Sequence, residues 1–171
     1  MSDFYPPRRF ELQRINIRGI EKKDAAGIFS IRNDLNMIQY TGIPQMLTMT
    51  DAVEFARTRI EGMKNDRWIY WIISDKSTDE LMGTICVFNF DEEKTSCDIG
   101  YELLPAFQGQ GFVADAMDAI IAYCFQVLSI KKIYADINEE NLDSIQVVKR
   151  AGFTFTKELE GGYQLYSARS N

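Results

Sequence analysis

The sequence predicts a single α/β domain over residues 1–171, with a mixed, mostly antiparallel sheet of about seven strands and about four flanking helices. The chain is long enough to bury one substantial core, and its apolar and charged fractions, 46% and 26%, are those of an ordinary globular protein. Segments with strand and helix periodicity follow one another without a linker or an internal repeat. One helix separates two strands in a way that requires a parallel crossover, whereas most other strands are joined by short turns.

The first third of the chain predicts one strand and two helices. Residues 11–18 alternate partly between apolar and polar side chains, which favours a strand. Apolar positions then recur at helical spacing from Asp24 to Arg32. Residues 33–49 lose this periodicity, which predicts a long loop or a broken helix of the kind that often lines a binding site. Thr50 is the predicted N-cap of a helix over 51–63.

The middle of the chain predicts three antiparallel strands followed by a long helix. Residues 67–74 and 81–90 are rich in β-branched and aromatic side chains and are joined by a polar turn, which indicates a hairpin. A second polar turn leads to a strand at 97–104, which we name the central strand. The turn Gln108–Gly111 then opens an amphipathic helix whose apolar face runs from Val113 to Leu128.

The last third predicts a strand, a short helix and a terminal hairpin. The strand follows the helical crossover, so we expect it to run parallel to the central strand. Asn141 is the predicted cap of the short helix, and two glycines mark the hairpin turn. The segments are residues 132–137 for the strand, 141–150 for the helix, and 153–157 and 163–168 for the hairpin.

The turn Gln108–Gly111 is the clearest sign of a binding site. A Gly-x-Gly turn that opens a helix leaves several backbone N–H groups unpaired at the positive end of the helix dipole, which suits an anion such as a pyrophosphate. Residues 109–114 also fit the G-x-G-x-x-A pattern of dinucleotide-binding folds, with Asp136 as a ribose-binding acid. Against that oxidoreductase alternative, the chain does not begin with a strand–turn–helix unit, and residues 105–107 separate the strand from the first glycine.

The sequence contains no histidine, which excludes Ser-His-Asp and Cys-His nucleophile systems and nearly all zinc sites of the usual ligand sets. Acid–base chemistry must therefore use carboxylates, hydroxyls, thiols or water. The three cysteines, Cys86, Cys97 and Cys124, lack metal-binding spacing. We interpret them as reduced core residues, which favours a cytoplasmic protein without a metal.

A net charge of −6 argues against a nucleic-acid partner. No apolar run approaches the length of a membrane span, and the first residues lack the apolar core of a signal peptide, so no membrane partner is expected. One local cluster is basic. It comprises Arg8, Arg9, Arg14 and Arg18, and we interpret it as a solvated strand edge.

Two sequence patterns point to a family. Residues 108–113 match Q/R-x-x-G-x-G/A except that Val113 stands at the last position. Residues 141–153 match N-x-x-S-x-x-V, and a Gly-Phe pair follows at Gly152 and Phe153. With this order of elements, nearly the whole chain resembles the GNAT acyltransferase superfamily, in particular its branch of ribosomal-protein N-acetyltransferases, RimJ and RimL.

The resemblance implies a splayed central sheet and acetyl-coenzyme A as co-substrate. The pyrophosphate would bind the N–H groups of residues 109–114. The pantetheine arm would pair with the backbone of Glu102, Leu103 and Leu104, where Pro105 breaks the ladder. The implied cofactor contacts are Leu103, Leu104, Gln108, Gly109, Gln110, Gly111, Phe112, Val113, Ala114, Asn141 and Ser144.

The implied reaction is direct attack of a primary amine on the thioester in a ternary complex. Many members of the superfamily protonate the leaving thiolate with a tyrosine, but Val148 occupies that position here and has no proton to donate. Ser144 lies one turn earlier, where RimL-type members use a serine, so the resemblance implies Ser144 as the donor. A backbone amide near Leu104 would polarise the thioester carbonyl. Asn141 is interpreted as a helix cap. The carboxylates that could act as the base through water are Asp98, Glu102, Glu158 and Glu160.

The branch suggests the N-terminal amine of a ribosomal or other protein as the acceptor. The same branch includes enzymes that act on small amines and amino acids, so that acceptor class stays open. The departures at Val113 and Val148 also leave a non-catalytic acyl-CoA-binding module as an alternative. A homodimer is the assembly that the branch suggests.

Overall fold

The computed structural model describes residues 2–171, which form one eight-stranded mixed sheet flanked by five α-helices. The strands are β1 Phe10–Glu11, β2 Ile15–Gly19, β3 Ile69–Asp75, β4 Leu81–Phe88, β5 Ser96–Leu103, β6 Lys132–Asn138, β7 Thr154–Glu158 and β8 Tyr163–Arg169. The helices are α1 Ala25–Asn33, α2 Leu35–Ile38, α3 Met49–Lys64, α4 Phe112–Gln126 and α5 Leu142–Arg150. The strand order is β1-β2-β3-β4-β5-β6-β8-β7.

The predicted fold class is confirmed, and two short elements add to the expected number. The single strand expected at 11–18 is instead β2 and the tight antiparallel strand β1, with Phe10 opposite Ile17. The chain turns at residues 12–14, Leu-Gln-Arg, where the N–H of Leu12 donates to the carbonyl of Ile15. These residues carry no glycine, proline or asparagine, so composition gives no sign of the turn.

The segment 33–49, expected as a long loop or a broken helix, contains the short helix α2, and the helix after it starts earlier than predicted. The cap is Thr48 and not Thr50. The Thr48 hydroxyl accepts from the N–H of Asp51, and the Asp51 carboxylate accepts from the N–H of Thr48, each at 3.1 Å. This reciprocal pair satisfies two donors at once, which a cap at Thr50 would not achieve.

The sheet opens between β5 and β6. These strands run parallel, as predicted, but they pair only where Ser96–Asp98 lie opposite Lys132–Tyr134. From Ile99 onward the two strands are unpaired and a cleft separates them, while β5 remains paired to β4 as far as Leu103. We call this opening the β5–β6 cleft.

The two faces of the sheet carry different helices. On one face α4 packs against Trp71, whose ring centre lies 6.0 Å from that of Tyr123. On the other face α3 packs against Tyr70, whose ring lies 5.7 Å from that of Phe55. Cys97 and Cys124 are fully buried, as expected, whereas Cys86 is only half-buried. No helix within residues 2–171 is long and apolar enough to span a membrane.

The interpretation of the basic cluster as a solvated strand edge holds for its exposed members Arg8, Arg9 and Arg14, but it is wrong for Arg18. Arg18 is buried and forms a bidentate ion pair with Asp24, with Nη1 and Nη2 at 2.9 and 2.8 Å from the two carboxylate oxygens. Its Nε donates to Asp79 at 2.9 Å. A buried guanidinium must be paired in this way because water cannot solvate it. Arg14 has a separate role, described below.

Candidate active site

The Gly-x-Gly turn has the geometry of an anion site. Gly109 and Gly111 have φ values of +75° and +82°, a left-handed conformation that favours glycine. Gly111 is the N-cap of α4. Within residues 2–171 the N–H groups of residues 109–111 have no hydrogen-bond acceptor, and all three residues are exposed. These donors therefore point to solvent at the positive end of a fifteen-residue helix.

Two glutamine side chains fix this turn from its N-terminal side. Gln108 Nε2 donates to the carbonyl of Leu103 at 2.8 Å, which ties the turn to the end of β5. Gln110 Nε2 donates to the carbonyl of Ala106 at 3.0 Å. The polar side chains bind the local backbone, so the main-chain donors are left for a ligand.

Arg14 fixes the same turn from the β1–β2 connection. Its Nη1 donates to the carbonyl of Gln110 at 2.8 Å, and its guanidinium lies 4.6 Å from the ring centre of Phe112. Nε and Nη2 lie 3.0 and 2.8 Å from Asp115 Oδ2. Sequence reasoning missed Arg14 because the contact joins residues 101 positions apart.

One edge of β5 has backbone N–H and C=O groups that are not paired with β4. The residues that direct these groups into the cleft are not the ones expected from the sequence. The N–H of Leu104 donates to the carbonyl of Met82 at 2.8 Å, so it is not available to a ligand. Antiparallel pairing alternates, and Glu102 opposite Thr84 therefore also directs its backbone towards β4. Tyr101 and Leu103 direct their N–H and C=O groups into the β5–β6 cleft.

Ser144 lies at the start of α5, beside the cleft. Asn141 caps the helix as predicted, with its side-chain oxygen 3.3 Å from the N–H of Ser144. Tyr101 Oη donates to the Ser144 carbonyl at 3.1 Å, and burial raises the pKa of this tyrosine to about 12. The Ser144 hydroxyl makes no hydrogen bond to any described residue. Val148 is fully buried in the core and does not line the cleft.

Glu102 follows Tyr101 on β5, but both of its carboxylate oxygens already contact other side chains. Arg32 Nη2 donates to Oε1 at 2.9 Å, and Arg32 Nε lies 2.8 Å from Oε2. The hydroxyl of Thr84 donates to Oε1 at 3.1 Å. Both partners of the ion pair are largely buried, with side-chain exposures of 13% and 15%. Glu102 is therefore held in place and neutralised by its arginine.

Asp98 lies far from Glu102 along β5. It is four residues before Glu102 on the same strand, which corresponds to about 13 Å. Burial raises its pKa, the hydrogen bond from Asn89 Nδ2 at 2.9 Å opposes this, and the nearby Asp136 adds to the rise. Asp98 sits where β5 and β6 are still paired, so the structure does not bring it to Ser144.

Ser144 and Glu102 lie on opposite faces of the sheet. Tyr101 points to α5 and meets Ser144, whereas Glu102, the next residue, points to α1 and meets Arg32. The cleft is the passage between these two faces. A group bound in it would meet a hydroxyl on one side and a carboxylate–guanidinium pair on the other.

Residues 33–49 contact the elements at both ends of this passage. Met37 Sδ lies 3.6 Å from the side-chain nitrogen of Gln108. The carbonyl of Tyr40 accepts from the Tyr163 hydroxyl at 3.3 Å. The segment thus spans from the Gly-x-Gly turn to the start of β8.

Known proteins are similar to this chain in sequence and in fold. The acetyltransferase (GNAT) domain family matches residues 14–154. The uncharacterized N-acetyltransferase p20 of Bacillus licheniformis is 30% identical over 146 residues, which cover 82% of this chain and 79% of that protein. Mycobacterium smegmatis RimJ in complex with CoA-disulfide superposes with a TM-score of 0.86 at 19% identity, over 99% of this chain and 90% of that one. Spermidine N-acetyltransferase from Vibrio cholerae, in complex with CoA and spermine, has a TM-score of 0.79 at 17% identity, over 92% and 96%. The chain therefore belongs to the GNAT acetyltransferase family and is an N-acetyltransferase of that type.

Proposed function

We propose that this protein transfers an acetyl group from acetyl-coenzyme A to a primary amine. One observation carries the proposal: exposed, unpaired N–H groups at residues 109–111 open α4 directly beside the splayed end of β5. The pyrophosphate would accept hydrogen bonds from these groups and from the first helical turn, Phe112, Val113 and Ala114. The Val113 side chain is turned into the core, so the departure from the family pattern leaves its backbone donor unchanged.

The pantetheine arm would lie along the free side of β5. An extended chain with amide groups can pair with the N–H and C=O groups of Tyr101 and Leu103 as an added strand would. The carbonyl of Leu103 also accepts from Gln108, which holds the turn and the strand at a fixed distance. In this arrangement the Leu103 N–H, and not that of Leu104, is the backbone donor nearest the thioester carbonyl.

We assign the attack of the amine to one side of the cleft and the protonation of the leaving thiolate to the other. The amine would enter from the face of α1 and α3, where its lone pair attacks the thioester carbon and a C–N bond forms. The C–S bond then breaks, and the thiolate takes a proton from the Ser144 hydroxyl on the α5 face. The attacking amine loses a proton, which passes through water to the Ser144 oxygen and restores its hydroxyl. An α-amine with a pKa near 7.7–8.0 is already neutral to about a tenth or more at pH 7, so it makes little demand on a base.

A protein N-terminal α-amine is the acceptor that we favour, because RimJ is among the structures with the same fold. The exposed apolar side chains of residues 35–53 give the cleft mouth a surface that a polypeptide could contact. These side chains are Leu35, Ile43, Leu47, Met49 and Val53. A small amine or amino acid is the second candidate, and a non-catalytic acyl-CoA-binding module is the third.

Thermal unfolding with acetyl-CoA, free CoA and NADH tests the cofactor first. A ligand at 100 times its Kd stabilises by about 2.7 kcal/mol, which raises Tm by several degrees. We expect both CoA forms to raise Tm and NADH to leave it unchanged. Turnover is then measured with peptides that have free N-termini and with small amines. A Tm shift without turnover of any acceptor would favour the binding module, and a shift with NADH alone would contradict the assignment of the turn.

A further inference from the structure

The α1/α3 face of the sheet has an open floor above β4 and β5. Tyr70, Cys86 and Gly100 lie opposite one another on β3, β4 and β5, and therefore share one face. Cys86 and Gly100 are half-buried, whereas Tyr70 is only 4% exposed. Gly100 contributes no side chain to this row, which ends beside Glu102. We call this floor, with its walls from α1 and α3, the acceptor groove.

One arginine in the wall of the groove lacks an acid partner. Arg59 on α3 is half-buried, and within the described part of the chain it makes no ion pair and donates no side-chain hydrogen bond. Its guanidinium lies 4.2 Å from the ring centre of Phe55, 4.8 Å from that of Trp68 and 5.8 Å from that of Tyr70. The Trp68 ring is itself fixed, because its Nε1 donates to the Arg59 carbonyl at 2.9 Å. Arg32 and Arg57, in contrast, are paired to Glu102 and Glu54.

A second group at the same place is unsatisfied. The hydroxyl of Tyr70 is buried and has no hydrogen-bond partner among residues 2–171. A half-buried guanidinium with free donors and a buried hydroxyl without a partner are both costly unless something completes them. Aromatic stacking offsets part of the cost for Arg59 and holds its planar donors in one orientation.

We propose that Arg59 binds an anionic group of the acceptor, a carboxylate or a phosphate, while the amine of the same molecule reaches the thioester over β5. This rests on the proposed function and assigns its acceptor class. The charges in the groove are arranged to suit such an acceptor, with acidic side chains where the amine would lie and a basic side chain where the anion would lie. The carboxylates of the groove, on the β5 and β6 side, are Asp98, Glu102 and Asp136, and its free guanidinium is at the β3 side.

The spacing limits the size of the acceptor. β3 and β5 are two inter-strand distances apart, about 10 Å, so the amine and the anion must lie roughly 5–10 Å from each other. An ω-amino carboxylate fits this span, as does a peptide with an acidic residue at its second or third position, at about 3.3 Å per residue. A polyamine does not fit this site, because it offers no anion and its second positive charge would approach the unpaired guanidinium of Arg59.

The test compares acceptors that differ only in the anion. Initial rates are measured for 6-aminohexanoate against hexylamine, and for a peptide with glutamate at position two against the same peptide with glutamine. We expect kcat/KM to favour at least one acidic acceptor by about tenfold or more over its neutral analogue, with the difference mainly in KM. The arm that shows the preference identifies the source of the anion. Equal rates within both pairs would overturn the proposal.

Substitutions on α3 test whether Arg59 is the residue that recognises the anion. In Arg59→Met the preference should fall to about twofold or less, and Arg59→Lys should retain part of it, because the charge remains. The matched control is Arg57→Met, which lies on the same helix, is exposed and should change neither rate. A preference that survives in Arg59→Met overturns the proposal, provided that acetyl-CoA still raises the Tm of that variant.

Binding provides a readout without turnover: 6-aminohexanoate or the acidic peptide should raise the Tm of the CoA-bound wild-type protein more than its neutral partner does. The absence of any Tm shift with acetyl-CoA would count against the proposed function instead.

Discussion

Arg14 and Asp115 join the β1–β2 turn to the first turn of α4, with Arg14 Nη2 2.8 Å from the carboxylate oxygen Oδ2. Asp115 stabilises the N-terminus of the helix, but its negative charge lies where we place the pyrophosphate. Arg14 neutralises that charge and at the same time holds the Gln110 carbonyl away from the ligand side. The ion pair thus allows an acidic first turn to coexist with an anion site.

This relationship predicts a non-additive pair of substitutions. Arg14→Met should weaken acetyl-CoA binding by about tenfold, because Asp115 would then repel the pyrophosphate. Asp115→Asn alone should change Kd by no more than about threefold. In the double variant, removal of the carboxylate should recover most of the loss, and the recovery should shrink as ionic strength rises. Kd from calorimetric titration measures this cycle. Additive effects would mean that Arg14 acts on the loop only through the Gln110 carbonyl.

The order of elements and the Gly-x-Gly turn before α4 could be predicted from sequence because they depend on local signals. Helical periodicity, two glycines in a left-handed conformation and the cap at Asn141 are all read from neighbouring residues. The chain turns at residues 12–14 without any residue typical of turns, so β1 was not predicted. The cap at Thr48 was missed because Thr50 offers the same hydroxyl two positions later.

Other features depend on register and on distant contacts. Whether Leu103 or Leu104 directs its N–H into the cleft is set by pairing with Met82 on β4, and both phases are compatible with the same sequence pattern. The partner of Arg14 lies 101 residues away. The surroundings of Arg59 come from α3, the residue before β3 and β3 itself. Only the contact of Arg59 with Phe55 has a helical spacing of four residues, and nothing in that spacing indicates that Arg59 lacks an acid partner.

Ser144 is predicted to protonate the thiolate. Ser144→Ala should lower kcat by about 100-fold and leave the Kd of acetyl-CoA within about twofold, because the hydroxyl acts on the leaving group and not on the pyrophosphate. Ser144→Thr keeps a hydroxyl and should retain more activity. Tyr101→Phe is the essential comparison, since Tyr101 touches the Ser144 carbonyl at 3.1 Å. If Tyr101→Phe lost the activity while Ser144→Ala kept it, the proton donor would be Tyr101.

The ion pair between Arg32 and Glu102 is predicted to be a structural feature of the groove. Arg32→Met should lower the free energy of unfolding by about 3–5 kcal/mol, because it leaves the buried Glu102 carboxylate without its partner. Adding Glu102→Gln should restore a large part of this stability, since an amide costs less to bury than a charge. Urea unfolding at pH 7 gives both values. A loss below about 1 kcal/mol in Arg32→Met would show that water replaces the guanidinium.

The network of Asp79 with Lys23 and Arg18 predicts a pH-dependent stability. The hydrogen bonds from Lys23 Nζ, at 2.8 Å, and from Arg18 Nε, at 2.9 Å, lower the pKa of Asp79 from 3.8 to about 2. Because the folded-state pKa is depressed, the stabilisation is fully present above the unfolded value of 3.8 and is lost as the pH falls through 2. Asp79 is 38% exposed, so we expect a contribution of about 1 kcal/mol after solvent screening.

Asp79→Asn is the appropriate variant for this network, because Asp79 has a φ of +64° and asparagine tolerates that conformation. At pH 7 the variant should be about 1 kcal/mol less stable than the wild type. The difference should narrow from pH 4 downward and approach zero only below pH 2, because the folded wild-type carboxyl is about half protonated at pH 2. Urea unfolding of both proteins across this range measures it. A constant difference at all pH values would mean that asparagine perturbs the turn itself, and that the carboxylate charge contributes little to the stability of this edge of the sheet.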